Sequence, residues 1–163
     1  MDSKPIKRSK ELLALSREHH HGLLLCWKIR QGLANGVELS RIKEYILHFY
    51  DTQLNDHFFL EEKYLFSLID AQNLHRIKAE SQHREIRGLI DAIKANNAGN
   101  TSLLGELQQK LEEHIRFEER ELFNYIQKHC DSALLKNVAA NLDKEVAEMQ
   151  WDDQFWLKEN LKR

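Results

Sequence analysis

The chain has 163 residues, of which 42% are hydrophobic and 31% charged, with six glycines and one proline; that is enough length to bury a core without staples and too little turn punctuation for many short strands. Its formal net charge of −2 comes from interspersed acidic and basic residues, which leaves no electrostatic footprint for nucleic acid or an anionic membrane. The cysteines, Cys26 and Cys130, form neither a disulfide framework nor a zinc ribbon, and no leader or membrane-length apolar run is present, so the expectation is an all-α cytoplasmic protein whose mature form is the chain as written.

Residues 1–9 read as an N-terminal tail. A first helix is expected from near Ser9 to Leu33, where Ala34-Asn35-Gly36 stops it with residues that tolerate left-handed backbone. Its apolar line of Leu12, Leu15, His19, Leu23, Cys26, Ile29 and Leu33 follows a three-four stagger. That line selects His19 from the triplet His19-His20-His21 as the inward histidine, with His20 second. A second helix opening near Ser40 carries Ile42, Ile46, Tyr50, Leu54, His57, Glu61, Leu65 and Leu68 on one face. A third follows Ala71 to Asn73 and runs to the breaker at residues 96–100, with Ala79, His83, Ile86, Ile90 and Ile93 inward. Thr101 or Ser102 is expected to cap a fourth, whose inner line is Leu104, Leu107, Leu111, His114, Glu118, Leu122 and Tyr125. Asp131-Ser132 opens a last helical stretch, from Ala133 into the region of Trp151 to Leu157. Short connections favour an antiparallel up-down four-helix bundle over residues 10–130, with residues 131–163 as an additional C-terminal helical segment packed across it.

Two stretches, His57 to Phe66 and His114 to Phe123, repeat one pattern, H-x-x-x-E-E-x-x-L-F. Residues four apart on a helix share a face, so each copy aims an imidazole and a carboxylate the same way, and both copies sit in otherwise apolar lines. One such pair alone is commonly a solvated ion pair; two pairs facing a core are expensive, since burying even an uncharged polar group without a partner costs roughly 2–7 kcal/mol. A metal is the natural common partner. Four histidines (His19, His57, His83, His114) and two carboxylates (Glu61, Glu118) suit iron, manganese or zinc, with two ions sharing the glutamates and positions left open for water or a small ligand. Glu62 and Glu119, about 100° further round, are expected to face solvent. His48, His75 and His129 lie off the inner lines and belong to the surface, Cys26 is buried filler, and Leu-Phe at 65–66 and 122–123 is core. Trp151, Phe155 and Trp156 pack on the bundle or form a dimer contact. No phosphate loop, nucleophile elbow or Ser/His/Asp ordering supports nucleophilic hydrolysis.

Taken together, Glu18-His19, His57-x-x-x-Glu61, His83-Arg84-Glu85-Ile86 and His114-x-x-x-Glu118 resemble the hemerythrin-like family, the domains named for a His-His-Glu cation-binding pattern. The resemblance spans residues 10–130. It implies a four-helix bundle holding a non-haem di-iron centre, with zinc or manganese as the alternative metals, that binds oxygen, nitric oxide or peroxide or handles iron. Oxygen-carrying members have a further histidine where this sequence has Ala79, and an aspartate five residues after the fourth-helix histidine where this sequence has Glu118 at four. The departures point toward sensing, repair or redox members, in which the missing ligand leaves one iron open or lets water, Glu80 or Tyr64 fill the gap. The expected role is a metal-binding module rather than an enzyme, acting as a monomer or homodimer; a di-iron oxidase or peroxidase and a metal-free helical adaptor are the alternatives.

Overall fold

Gly36, at φ 66, turns the chain out of the first helix in the left-handed region where a glycine carries no Cβ penalty. In the computed structural model, which describes residues 7–96, 100–142 and 149–160, that helix is α1 (Leu13–Ala34). The second helix, α2 (39–68), is one continuous rod. Its α-helical parts, Leu39–Phe49 and Asn55–Leu60, alternate with π turns at Tyr50–Leu54 and Glu61–Leu65, and it ends in a 3₁₀ turn at Phe66–Leu68. Next come α3 (Leu74–Ala95) and α4 (101–129), the latter interrupted by a π turn at Glu118–Leu122. A shorter α5 (Ser132–Leu142) follows. No strand occurs among the described residues, and none of their helices is long and apolar enough to cross a membrane.

The caps are side chains that satisfy otherwise orphaned helix N–H groups. Asn73 accepts from His75 N at 2.9 Å and Asp131 from Ala133 N at 2.7 Å. At α4 the cap is Asn100, accepting from Leu103 N at 3.3 Å, rather than Thr101 or Ser102. The amide one position earlier reaches the first turn, and Thr101 becomes its first residue.

The core divides into two apolar clusters with a polar layer between them. One cluster takes Leu25, Cys26 and Ile29 from α1, Ile42 to Phe58 from α2, Ile86 to Ile93 from α3 and Leu104 to Ile115 from α4. The other takes Leu12 and Leu15, then Leu60 to Ile69, Ala79, and Phe117 to Ile126, closed over by Leu135, Val138 and Leu142 of α5. Each of the four long helices therefore passes from one cluster to the other, and each carries a buried histidine at the crossing.

The π turns move the apolar lines. Past the two that begin at Glu61 and Glu118 the buried position falls one residue later than a plain three-four stagger places it: Ile69 rather than Leu68, and Ile126 rather than Tyr125. A π turn closes i→i+5 instead of i→i+4, so it spends one extra residue and rotates everything beyond it. This also lets Leu65 with Phe66, and Leu122 with Phe123, be buried as adjacent pairs.

The C-terminal segment corrects the expectation of a helix reaching Leu157. Residues 149–157 are irregular, with turns closed by Gln154 N donating to Asp152 O (3.1 Å) and Phe155 N to Asp153 O (2.8 Å), and one 3₁₀ turn at Lys158–Asn160. Two consecutive aspartates favour local turn bonding over helix, and Asp153 is held across the bundle by a bidentate pair with Arg41 at 2.8 and 2.6 Å. Phe155 is fully buried beside Gly32 and Ile42. Tyr45 meets the rings of Trp151, Phe155 and Trp156, and the buried Lys28 donates to Tyr45 OH at 2.9 Å while lying 3.9 Å from the Trp156 ring centroid. The aromatic residues thus pack on the bundle, as a strap across α1 and α2.

Candidate metal centre

All six residues selected from the sequence meet in the polar layer. His19, His57, His83, His114, Glu61 and Glu118 are each at most 5% exposed, and both glutamates are fully buried. His20 is exposed, which leaves His19 as the inward member of its triplet. The layer forms two overlapping groups whose ligand atoms lie within 4.8 Å of one another: His19, His57, Glu61 and Glu118, and Glu61, His83, His114 and Glu118. The two glutamates belong to both. His57 Nε2 lies 3.1 Å and His83 Nε2 3.3 Å from Glu61 Oε1; His114 Nε2 lies 2.8 Å and His19 Nε2 3.3 Å from Glu118 Oε1.

Behind each imidazole stands an acceptor from the preceding helix. His57 Nδ1 donates to Glu18 of α1. His83 Nδ1 donates to Glu62 of α2 at 2.9 Å, His114 Nδ1 to Gln82 of α3 at 2.7 Å, and His19 Nδ1 to Glu119 of α4 at 2.8 Å, which closes the circuit. Glu62 and Glu119 are therefore half-buried acceptors rather than simply solvent-facing residues. The π turn that starts at each buried glutamate swings its neighbour toward the next helix. Phe66 and Phe123, the last identical positions of the repeat, lie against the same two imidazoles, at 5.2 Å from His83 and 5.3 Å from His19. Each copy of the repeat thus supplies two inward groups of its own and the setting of a histidine on another helix. Identity of the second glutamate in both copies was the signal that could have revealed this.

The circuit fixes the chemistry of the layer's interior. A carboxylate or amide oxygen accepts but cannot donate, so each Nδ1 carries the hydrogen and each neutral Nε2 presents a bare lone pair inward. His83 Nε2 and His114 Nε2 lie 3.1 Å apart. His19 Nε2, His57 Nε2 and all four carboxylate oxygens of Glu61 and Glu118 are buried without a hydrogen bond. Six side chains thus converge as acceptors with no donor among them, an arrangement that needs cations. Imidazoles backed by outer acceptors are what metal-ligating histidines show, and the nitrogen and oxygen donor set fits a divalent or trivalent transition ion.

The hemerythrin HHE cation binding domain model matches residues 12–126. The chain belongs to this family. Comparison with curated proteins and with solved structures gives no significant match. The matched span of the hemerythrin domain contains the whole polar layer and its outer acceptors except for the Arg8 contact to Glu119; α5 and the strap lie beyond it.

With protons as the only cations, the hemerythrin layer charges its histidines. Burial is the largest influence on His19 and disfavours its imidazolium, but the carboxylates of Glu118 and Glu119 beside it outweigh burial and hold the group up at about 9. His57 is raised well above 6.5 and His83 is raised, in each case against burial, by the glutamates beside it. For His114 burial wins and the shift is downward. Glu118 is driven well below the usual carboxylate range despite burial, by His114 and His19, and Glu62 falls to about 2 between His83 and Arg87. Glu80, one candidate to stand in for a ligand beside Ala79, instead pairs with Arg76 at 2.9 Å and is turned from the layer.

A cavity of about 70 Å³ abuts the layer, lined by both His19 and His57 and by His114 of the other half. A site for one water needs only about 10–15 Å³, so this space holds a small molecule. Its walls include Leu54, Phe58, Leu111 and Ile115, and it runs outward past the exposed Thr52 and Asp56. Gly22, one turn beyond His19, lets Ile115 pack directly against α1 at the cavity wall: a Cβ there would come within 2.7 Å of Ile115 Cδ1.

Proposed function

We propose that the chain is a non-haem di-iron protein in which His19 and His57 hold one ion, His83 and His114 hold the other, and Glu61 and Glu118 are shared. The acceptor-only interior of the layer carries this reading, because four Nε2 lone pairs and two buried carboxylates converge without a donor. When bound, the ions supply redox change and open coordination positions for a small ligand. The protein's own contribution is to fix the tautomers through Glu18, Glu62, Gln82 and Glu119, to exclude bulk water with the apolar clusters, and to admit a small ligand through the cavity beside His19 and His57. That cavity suits oxygen, nitric oxide or peroxide. It contains no acid or base other than the histidines, their backing Glu18 and the rim residue Asp56, which favours binding or sensing over turnover.

Metal analysis of protein purified without chelator, joined to absorption spectroscopy after anaerobic loading with ferrous iron and exposure to oxygen or nitric oxide, tests the reading. The expected result is two iron ions per chain, the charge-transfer absorption of a bridged ferric pair, and a spectral change with the small ligand. A chain that takes up no iron under these conditions overturns it.

A further inference from the structure

The two halves of the polar layer carry matching outer groups except at one pair of positions. Glu119, accepting from His19, is met by Arg8 Nη2 at 3.1 Å; Glu62, accepting from His83, is met by Arg87 Nη1 at 2.8 Å. These carboxylate and guanidinium charges cancel, one pair on each side. The remaining two acceptors also occupy equivalent places, each immediately before a layer histidine and each reaching the histidine of the next helix. They are Glu18, behind His57, and Gln82, behind His114. One is an anion and the other a neutral amide, and among the described residues no lysine or arginine forms an ion pair with Glu18.

A carboxylate behind an imidazole N–H raises the basicity of the opposite nitrogen more than an amide does, and it adds one negative charge near the ion. We propose that the Glu18/Gln82 difference makes the two cation positions unequal, so that the His19–His57 position fills first and more tightly and the His83–His114 position fills second. The inference rests on the metal-binding reading above. Glu18 and Gln82 are positioning residues, acting through the histidines without touching an ion. The position that holds its ion more firmly is also the one with both of its histidines on the cavity, which the other position reaches through His114 alone, so the ion nearest the incoming ligand is the last to be lost when metal is scarce.

The experiment uses the full chain, stripped with chelator and titrated with cobalt(II), followed by calorimetry and visible absorption; anomalous scattering from crystals loaded with one equivalent locates the first ion. Losing an outer partner typically costs about 10–100-fold in metal affinity, so the wild type should show two steps at least about tenfold apart, the first ion lying between His19 and His57. Gln82→Glu should tighten the second step and bring the two within about threefold, whereas Glu18→Gln should weaken the first. The exchange Glu18→Gln with Gln82→Glu keeps both acceptors and the total charge, and it should reverse the order of filling, which a merely structural role for these side chains would not do. Two equal steps in the wild type, a first ion at His83–His114, or steps unmoved by the substitutions overturn the proposal and leave the metal reading standing. A wild type that binds no ion overturns both.

Discussion

Loading the stripped protein with metal should expel protons, and their number follows from the layer. At pH 6.5, His19, held at about 9, is roughly 99% protonated. His57 and His83, both raised above 6.5 by the glutamates beside them, are each more than half protonated. His114, pushed down by burial, contributes less than half a proton. An imidazolium has no lone pair to give a metal, so filling the whole layer releases about two to three and a half protons. Apparent affinity for the pair of ions then rises about 100- to 3000-fold per pH unit near 6.5, tenfold for each proton released. The part of this dependence that comes from His19 flattens once pH is above about 9. Proton competition thus begins well above the intrinsic histidine value. Calorimetric titration with zinc(II) or cobalt(II) in buffers of different ionisation enthalpy, at pH 6.5, 7.5 and 9, counts the protons directly. Tight binding at pH 6.5 with fewer than about one proton released would refute the argument, since the histidines would then already be neutral beside the glutamates.

The stripped protein itself should show the opposite pH trend. A raised histidine contributes stability that is complete below its unfolded value of about 6.5 and lost as pH rises through the folded one, so its melting temperature should fall between pH 6.5 and about 9, while the loaded protein does not follow it down. Toward acid, the contribution of Glu62, present above its ordinary 4.5, should fade as pH approaches about 2. Glu61→Ala or His114→Ala should lower both metal content and melting temperature, and unchanged metal stoichiometry would remove these residues from the ligand set. Replacing all six layer residues with Leu or Met should recover stability without metal, because fitted apolar packing can equal or exceed a buried polar network; a layer-free variant that stays as labile as the single substitutions would contradict this. Phe155→Ala should cost about 3–5 kcal/mol in urea unfolding and leave the ion-to-chain ratio unchanged, a separation that loss of metal in the variant would disprove.

The helices, their order and the six inward residues were legible because each rests on a local period. His19 could be chosen from its triplet by the apolar line on either side of it, and the H-x-x-x-E pairs needed only the i to i+4 geometry of one helix. What was not legible depends on departures from that geometry or on a second helix. Leu68 and Tyr125 were placed inward by a plain stagger, and the π turns at Glu61–Leu65 and Glu118–Leu122 hand their places to Ile69 and Ile126. Nothing in the letters E-E-x-x-L announces an i→i+5 turn. Glu62 and Glu119 looked solvent-facing for the same reason, and Glu18 and Gln82 acquire meaning only when the histidines of the next helix come within reach. The strap escaped a period-based reading because Trp151, Phe155 and Trp156 mimic helical spacing while the aspartates between them close turns.

Phe155 completes the cluster around Gly32 and Ile42 from a position far along the chain, and this sets an order of events during synthesis. All six layer residues, with their four outer acceptors, precede the strap in the chain. Domains assemble progressively as the chain emerges, so the layer can gather while one end of the bundle still lacks its aromatic plug. A cation arriving in that interval meets helices that have yet to be clasped. Once Arg41 has taken hold of Asp153 and Trp156 has closed over Lys28, the cavity past Thr52 and Asp56 still leads to the layer. The strap therefore finishes one end of the bundle without standing in that route, and none of its residues reaches the polar layer.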